Sequence, residues 1–76
     1  MNKVLNNSKE NGETTAEQQI LAAAEREFVS KGFAGARTTS IAEAAGVTHA
    51  MLHYYFRTKE NLFEKIIAEK ADMLQE

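Results

Sequence analysis

A chain of 76 residues has room for one small domain, and with no Pro, four Gly and plentiful Ala, Glu and Lys it favours helices. The absence of Cys excludes a disulfide framework and thiolate metal sites, which fits a cytoplasmic protein. Residues 1–5 are too polar for a signal sequence, and no apolar run approaches a membrane span. The net charge of −2 argues against nucleic acid until its distribution is read. From Lys31 to Lys59, Lys31, Arg37, Arg57 and Lys59 stand against Glu43 alone, a net +3 that leaves −5 for the rest of the chain. A positive middle between acidic ends suits a DNA-facing surface, because the local field matters more than the total.

Residues 1–14 carry no apolar period after Leu5 and read as a flexible tail; with only Lys3 and Lys9 and no Arg, it is a poor minor-groove arm. The first helix is expected over residues 16–31. Thr15 followed by Gln18 has the form of a capping box, Ile20, Leu21, Ala24 and Phe28 recur at helical spacing, and Glu27 and Lys31 form an i, i+4 pair off the apolar stripe. Gly32 is placed to end this helix, and Phe33 to fold back onto the core.

The second helix is expected over residues 38–45. Thr38 or Thr39 begins it, and Ser40 with Glu43 offers an alternative capping box. Gly46 then stands where a tight turn needs positive φ, Val47 plugs the corner, and Thr48 can cap a third helix over residues 49–55. Ile41, Ala42, Ala45, Leu52 and Phe56 make one continuous inner face, with Ala42 small where the two helices cross. His49, Ala50, Met51, His53 and Tyr54 lie outward. Thr58 is placed to cap a fourth helix from Lys59 onward, with a stripe of Leu62, Phe63, Ile66, Ile67, Ala71 and Leu74. Ile67, Met73 and Leu74 have no evident partner in the chain, as though a further domain followed.

The second and third helices therefore read as a helix-turn-helix whose second member enters a major groove. Thr38 and Thr48 sit at helix N-termini, where hydroxyls and amides bind phosphate, and Lys59 stands at the start of the fourth helix with its ammonium. Tyr54 and Tyr55 can donate to phosphate oxygens, although Tyr55 lies nearer the buried side. Ala50 and Met51 offer apolar contact to thymine methyls, and His49 or His53 can donate to base or phosphate. His49 and His53, at i and i+4, have zinc-ligand spacing, but Ala50 stands where the metalloprotease pattern needs Glu and no third ligand is near; no metal and no cofactor is assigned. The chain has no Gly-rich phosphate loop and no catalytic set, so it is not read as an enzyme.

The ordered runs Ala24-Glu25-Arg26-Glu27-Phe28, Lys31-Gly32-Phe33, Thr38-Thr39-Ser40-Ile41-Ala42-Glu43-Ala44-Ala45-Gly46-Val47-Thr48 and Tyr54-Tyr55-Phe56-Arg57-Thr58-Lys59-Glu60-Asn61-Leu62 resemble the N-terminal DNA-binding domain of the tetracycline-repressor (TetR) family. The resemblance implies an all-α fold: a three-helix bundle with a helix-turn-helix in helices two and three, plus the start of a fourth, linking helix. The divisions are then residues 1–14 (tail), 15–58 (DNA-binding domain) and 59–76 (first part of the linking helix). It also implies phosphate contacts from Thr38, Thr48, His53, Tyr54, Tyr55 and Lys59, and base reading by Thr39, His49, Ala50 and Met51. The family commonly has Tyr where His53 stands and His where Tyr55 stands. The implied partner is double-stranded DNA with a palindromic operator, read by a homodimer, with repression as the output. The small-molecule inducer binds the family's second domain, to which nothing in these 76 residues corresponds. The alternative is a small helical protein-interaction module that docks through the apolar face of helix four.

Overall fold

The computed structural model describes residues 15–74, so the expected tail over residues 1–14 lies outside the described residues. It contains four helices: α1 (Ala16–Gly35), α2 (Thr38–Ala45), α3 (His49–Tyr55) and α4 (Lys59–Leu74). No strand occurs among the described residues, and no helix is long and apolar enough to cross a membrane.

The Thr15 capping box opens α1: Gln18 N–H donates to Thr15 Oγ1 and Thr15 N–H to Gln18 Oε1, each at 3.1 Å. Gly32 ends the regular helix with φ 76° and ψ 166°, and residues 33–35 form a further short turn beyond that kink. Positive φ costs Gly little because it has no Cβ to clash. Phe33 does not fold back into the core, contrary to its placement in the sequence. The break leaves it half-exposed, stacked on Phe28 at 5.7 Å between centroids and edge-on to Phe63 at 5.5 Å.

Thr38 is the first residue of α2, preceded by Arg37 in extended conformation as a cap without a side-chain hydrogen bond. Ser40 lies inside the first turn, so the alternative box with Glu43 is not formed. Gly46 closes α2 in the left-handed region (φ 78°, ψ 26°), with Gly46 N–H donating to Glu43 O and Val47 N–H to Ala42 O. Thr48 Oγ1 accepts from Met51 N–H at 3.0 Å and starts α3. Thr58 Oγ1 likewise accepts from Asn61 N–H at 3.0 Å at the start of α4.

The four most completely buried large side chains are Ile20, Ile41, Leu52 and Leu62, one from each helix. Leu21, Ala23, Ala24, Ala42, Phe56 and Ile66 complete the core, with Phe28, Ala45 and Val47 packed at its edge. Because α4 supplies Leu62 and Ile66, its first half is part of this core. Its later residues Ile67 and Met73 are exposed, as the unpartnered stripe implied. An ion pair of Lys70 with Glu25 at 2.8 Å ties α4 to α1 beside the core; being exposed, it adds little stability.

Fully burying one such aliphatic side chain contributes about 1.5–3 kcal/mol. A domain this small has few others to compensate. Leu62→Ala is expected to cost about 2–5 kcal/mol, read as a lowered midpoint in chemical denaturation, because it removes the α4 member of the central contact and leaves a cavity. Ile67→Ala, at an exposed position of the same helix, is expected to change the midpoint little.

Candidate nucleic-acid interface

The Gly46 corner turns α3 so that Leu52 and Phe56 are buried while His49, Ala50, Met51, His53 and Tyr54 remain exposed. The two tyrosines differ as their positions foretold. Tyr54 is 79% exposed, whereas Tyr55 is 42% exposed and leans on Tyr54 and Phe56 at 5.3 and 6.5 Å between ring centroids. Ala50, Met51 and Tyr54 thus form a projecting ridge with few side-chain ties.

Beside this ridge is an open cavity of about 430 Å³ between the start of α2, α3 and the start of α4. Leu52, Phe56 and Ala36 form its apolar lining, and its polar side chains are Arg37, Thr38, Thr39, His49, His53, Arg57, Thr58 and Lys59. Every one is a cation, an imidazole or a hydroxyl. Among the described residues no carboxylate lines it, although acids outnumber Lys and Arg by 11 to 9 over the whole chain. Such a depression attracts anions and presents donors to them.

Two residues are tied down in ways that side-chain spacing does not reveal. The Lys59 ammonium donates to the carbonyls of Phe33 (2.8 Å), Ala36 (3.1 Å) and Ala34 (3.3 Å), and lies 4.8 Å from the Phe33 ring centroid. All three of its N–H donors therefore have acceptors among the carbonyls at and just past the end of α1, beyond the break at Gly32. Lys59 puts a fixed positive charge at the cavity edge while locking α4 to the end of α1. His49 turns its Nε2 to 2.9 Å from Thr38 Oγ1, joining the first residues of α3 and α2. Its ring faces that of His53 edge-on at 6.3 Å. Among the described residues no group of three or more His, Cys, Asp or Glu is placed to hold a metal ion.

Of the residues singled out in the sequence, the structure gathers Thr38, Thr39, His49, His53 and Lys59 in the cavity wall and leaves Ala50, Met51 and Tyr54 on the ridge. Thr48 Oγ1 is engaged as a helix cap. Arg37, Arg57 and Thr58 also line the cavity but were not singled out as site residues. The local positive charge in the sequence was the available signal for the two arginines.

A model of the family described as "Bacterial regulatory proteins, tetR family" matches residues 20–66. The chain belongs to the TetR family. Among TetR-family relatives, the HTH-type transcriptional repressor AcnR of Corynebacterium glutamicum is 35% identical over 63 residues, covering 83% of this chain and 34% of AcnR. The HTH-type transcriptional regulator RutR of Escherichia coli K12 is 43% identical over 54 residues, covering 71% of this chain and 26% of RutR. A crystal structure of an HlyIIR mutant with a linker in place of residues 169-186 superposes with a TM-score of 0.69 at 35% identity, covering 82% of this chain and 32% of that one. The chain thus spans about a quarter to a third of these relatives' length. The TetR-type match takes in the core, the Gly46 corner, the ridge and the whole cavity wall.

Glu27 fixes the approach to this interface. Its carboxylate accepts from Arg37 N–H at 3.2 Å, just before α2, and pairs with Lys31 at 3.2 Å. The Arg37 amide first, then Lys31, holds the Glu27 carboxyl below its usual pKa, against an opposing contribution from burial. With the folded-state value lowered, the stabilisation is fully present above the ordinary glutamate pKa and is lost as pH falls through the folded value. The thermal midpoint is therefore expected to fall on acidification below about pH 5, and to fall less steeply in Glu27→Gln, measured by circular dichroism across the acid range.

Proposed function

We propose that this chain is the operator-reading part of a TetR-type transcriptional regulator, a repressor acting on double-stranded DNA in the cytoplasm. The observation that carries this reading is the exposed ridge of α3 beside a cavity whose polar wall holds only cations, imidazoles and hydroxyls. In this reading α3 lies in the major groove and the cavity wall receives the backbone phosphates on either side of it. Thr39, His49, Ala50 and Met51 face base edges; Met51 and Ala50 suit thymine methyls. Thr38, Thr48, His53, Tyr54, Tyr55 and Lys59 serve the phosphates. Lys59 contributes first through its fixed charge, and makes a direct contact by exchanging one carbonyl acceptor for a phosphate oxygen.

Residues 15–58 form the reading unit in this proposal, with residues 1–14 as a tail and 59–76 as the first part of the connection onward. The exposed Phe63, Ile67 and Met73 would face the rest of the regulator, where the inducer and the dimer contact belong. The whole regulator would read a palindromic operator as a homodimer, with half-sites spaced by the dimer. One such unit alone binds weakly, lacking the effective concentration that a second half-site supplies.

Binding of the chain to duplex DNA is expected to weaken as salt rises, with a slope of log K against log salt of about −0.9 per phosphate neutralised. A titration with no slope would overturn the reading. Two variants at exposed positions separate the roles. Tyr54→Phe is expected to weaken binding to all sequences about fivefold, the worth of one hydrogen bond near 1 kcal/mol. Met51→Ala is expected to change which sequences are enriched from a random duplex pool; unchanged enrichment would show that α3 does not read bases through Met51.

A further inference from the structure

We propose that His49 is a positioning residue for the Thr38 phosphate contact, and that DNA binding draws a proton onto it. This rests on the DNA-binding reading above and goes beyond it by making the affinity depend on pH. The geometry is the 2.9 Å approach of His49 Nε2 to Thr38 Oγ1 across the α2–α3 corner, at the wall of the donor-lined cavity.

A threonine hydroxyl has one proton and two lone pairs. When Nε2 is bare, the imidazole accepts that proton, and Thr38 turns only lone pairs toward an incoming phosphate. When Nε2 carries hydrogen, the direction reverses: the imidazole donates to Thr38 Oγ1, and the hydroxyl proton is released to donate to a phosphate oxygen. The neutral Nε2–H tautomer completes this relay, and the imidazolium completes it with an added positive charge. Phosphate therefore selects against the bare-Nε2 form and favours the imidazolium over both neutral forms.

The charged groups around His49 give the coupling its direction. Arg37 before α2, His53 one turn along α3, Arg57 in the α3–α4 turn and Lys59 at the start of α4 line the same wall; among the described residues no Asp or Glu does. Among the described residues the wall thus offers an imidazolium no carboxylate partner. A bound phosphate supplies the missing anion, so the proton is taken up with the DNA. Histidine is the side chain whose proton ordinarily exchanges between pH 5 and 8. By linkage, a complex that binds more protons than its free components loses affinity as pH rises, by at most about tenfold per pH unit for one proton.

The test is titration of random-sequence duplex DNA with the full 76-residue chain at pH 6 and pH 8, at constant ionic strength. The wild-type chain is expected to lose about five- to tenfold in affinity from pH 6 to pH 8. His49→Gln, whose side-chain amide donates to Thr38 at either pH, is expected to lose most of that pH dependence while still binding at both. Calorimetry near pH 6.5, in two buffers of different ionisation enthalpy, should show net proton uptake for the wild-type chain and a smaller uptake for His49→Gln. Equal wild-type affinity at the two pH values, or a slope that survives in His49→Gln, overturns the proposal and leaves the DNA-binding reading standing. Absence of binding at both pH values overturns that reading, and this proposal with it.

Discussion

The structure depends on one meeting point: Ile20, Ile41, Leu52 and Leu62, one side chain from each helix, all but closed to solvent. Helices of seven and eight residues are too short to stand alone in water, so α2 and α3 exist because this contact gives them a common inner face. Their outer surfaces are thereby fixed in relation to each other. Short connections tighten the constraint. Two residues join α1 to α2, three join α2 to α3 and three join α3 to α4, which leaves α3 little freedom to rotate its ridge without disturbing Leu52.

Electrostatics is arranged on this frame by exclusion. Acids sit on α1, on the exposed side of α2 and along α4, while the polar wall beside α3 is built, among the described residues, from cations, imidazoles and hydroxyls. Glu27, the acid drawn toward the corner, is hydrogen-bonded by the Arg37 amide and paired with Lys31. Lys59 does the reverse at the other side, spending its hydrogen bonds on the end of α1 while leaving its charge beside the cavity. The same contacts that stabilise the helix ends thus shape the field in front of the ridge.

Much of this could be read from the residue pattern, because local rules and the global fold agree. The Thr15–Gln18 box, the break at Gly32, the Gly46 corner and the caps at Thr48 and Thr58 are each set within a few residues, and they place the helix boundaries. The family match covers the same stretch, residues 20–66. What escaped the sequence depends on distant backbone. Glu27 reaches the Arg37 amide ten residues on, and Lys59 finds carbonyls 23 to 26 residues earlier. Phe33 stays half-exposed because the chain leaves the helix at Gly32 and carries it toward Phe63 and Lys59. Side-chain spacing describes the face a residue occupies; it carries no record of which distant carbonyl or amide lies in reach.

The central claim is that the α2–α3 corner, with the cavity wall and the projecting ridge, is where this chain meets DNA. The most direct measurement is a residue-by-residue map of amide chemical shifts as duplex DNA is titrated into the isotopically labelled chain. The largest changes are expected at Thr38, Thr39, Thr48 and the exposed residues of α3, with Arg57 and Lys59 following. Changes confined to α1 and the later turns of α4 around Ile67 and Met73 would contradict the claim and assign the contact to the opposite side of the fold.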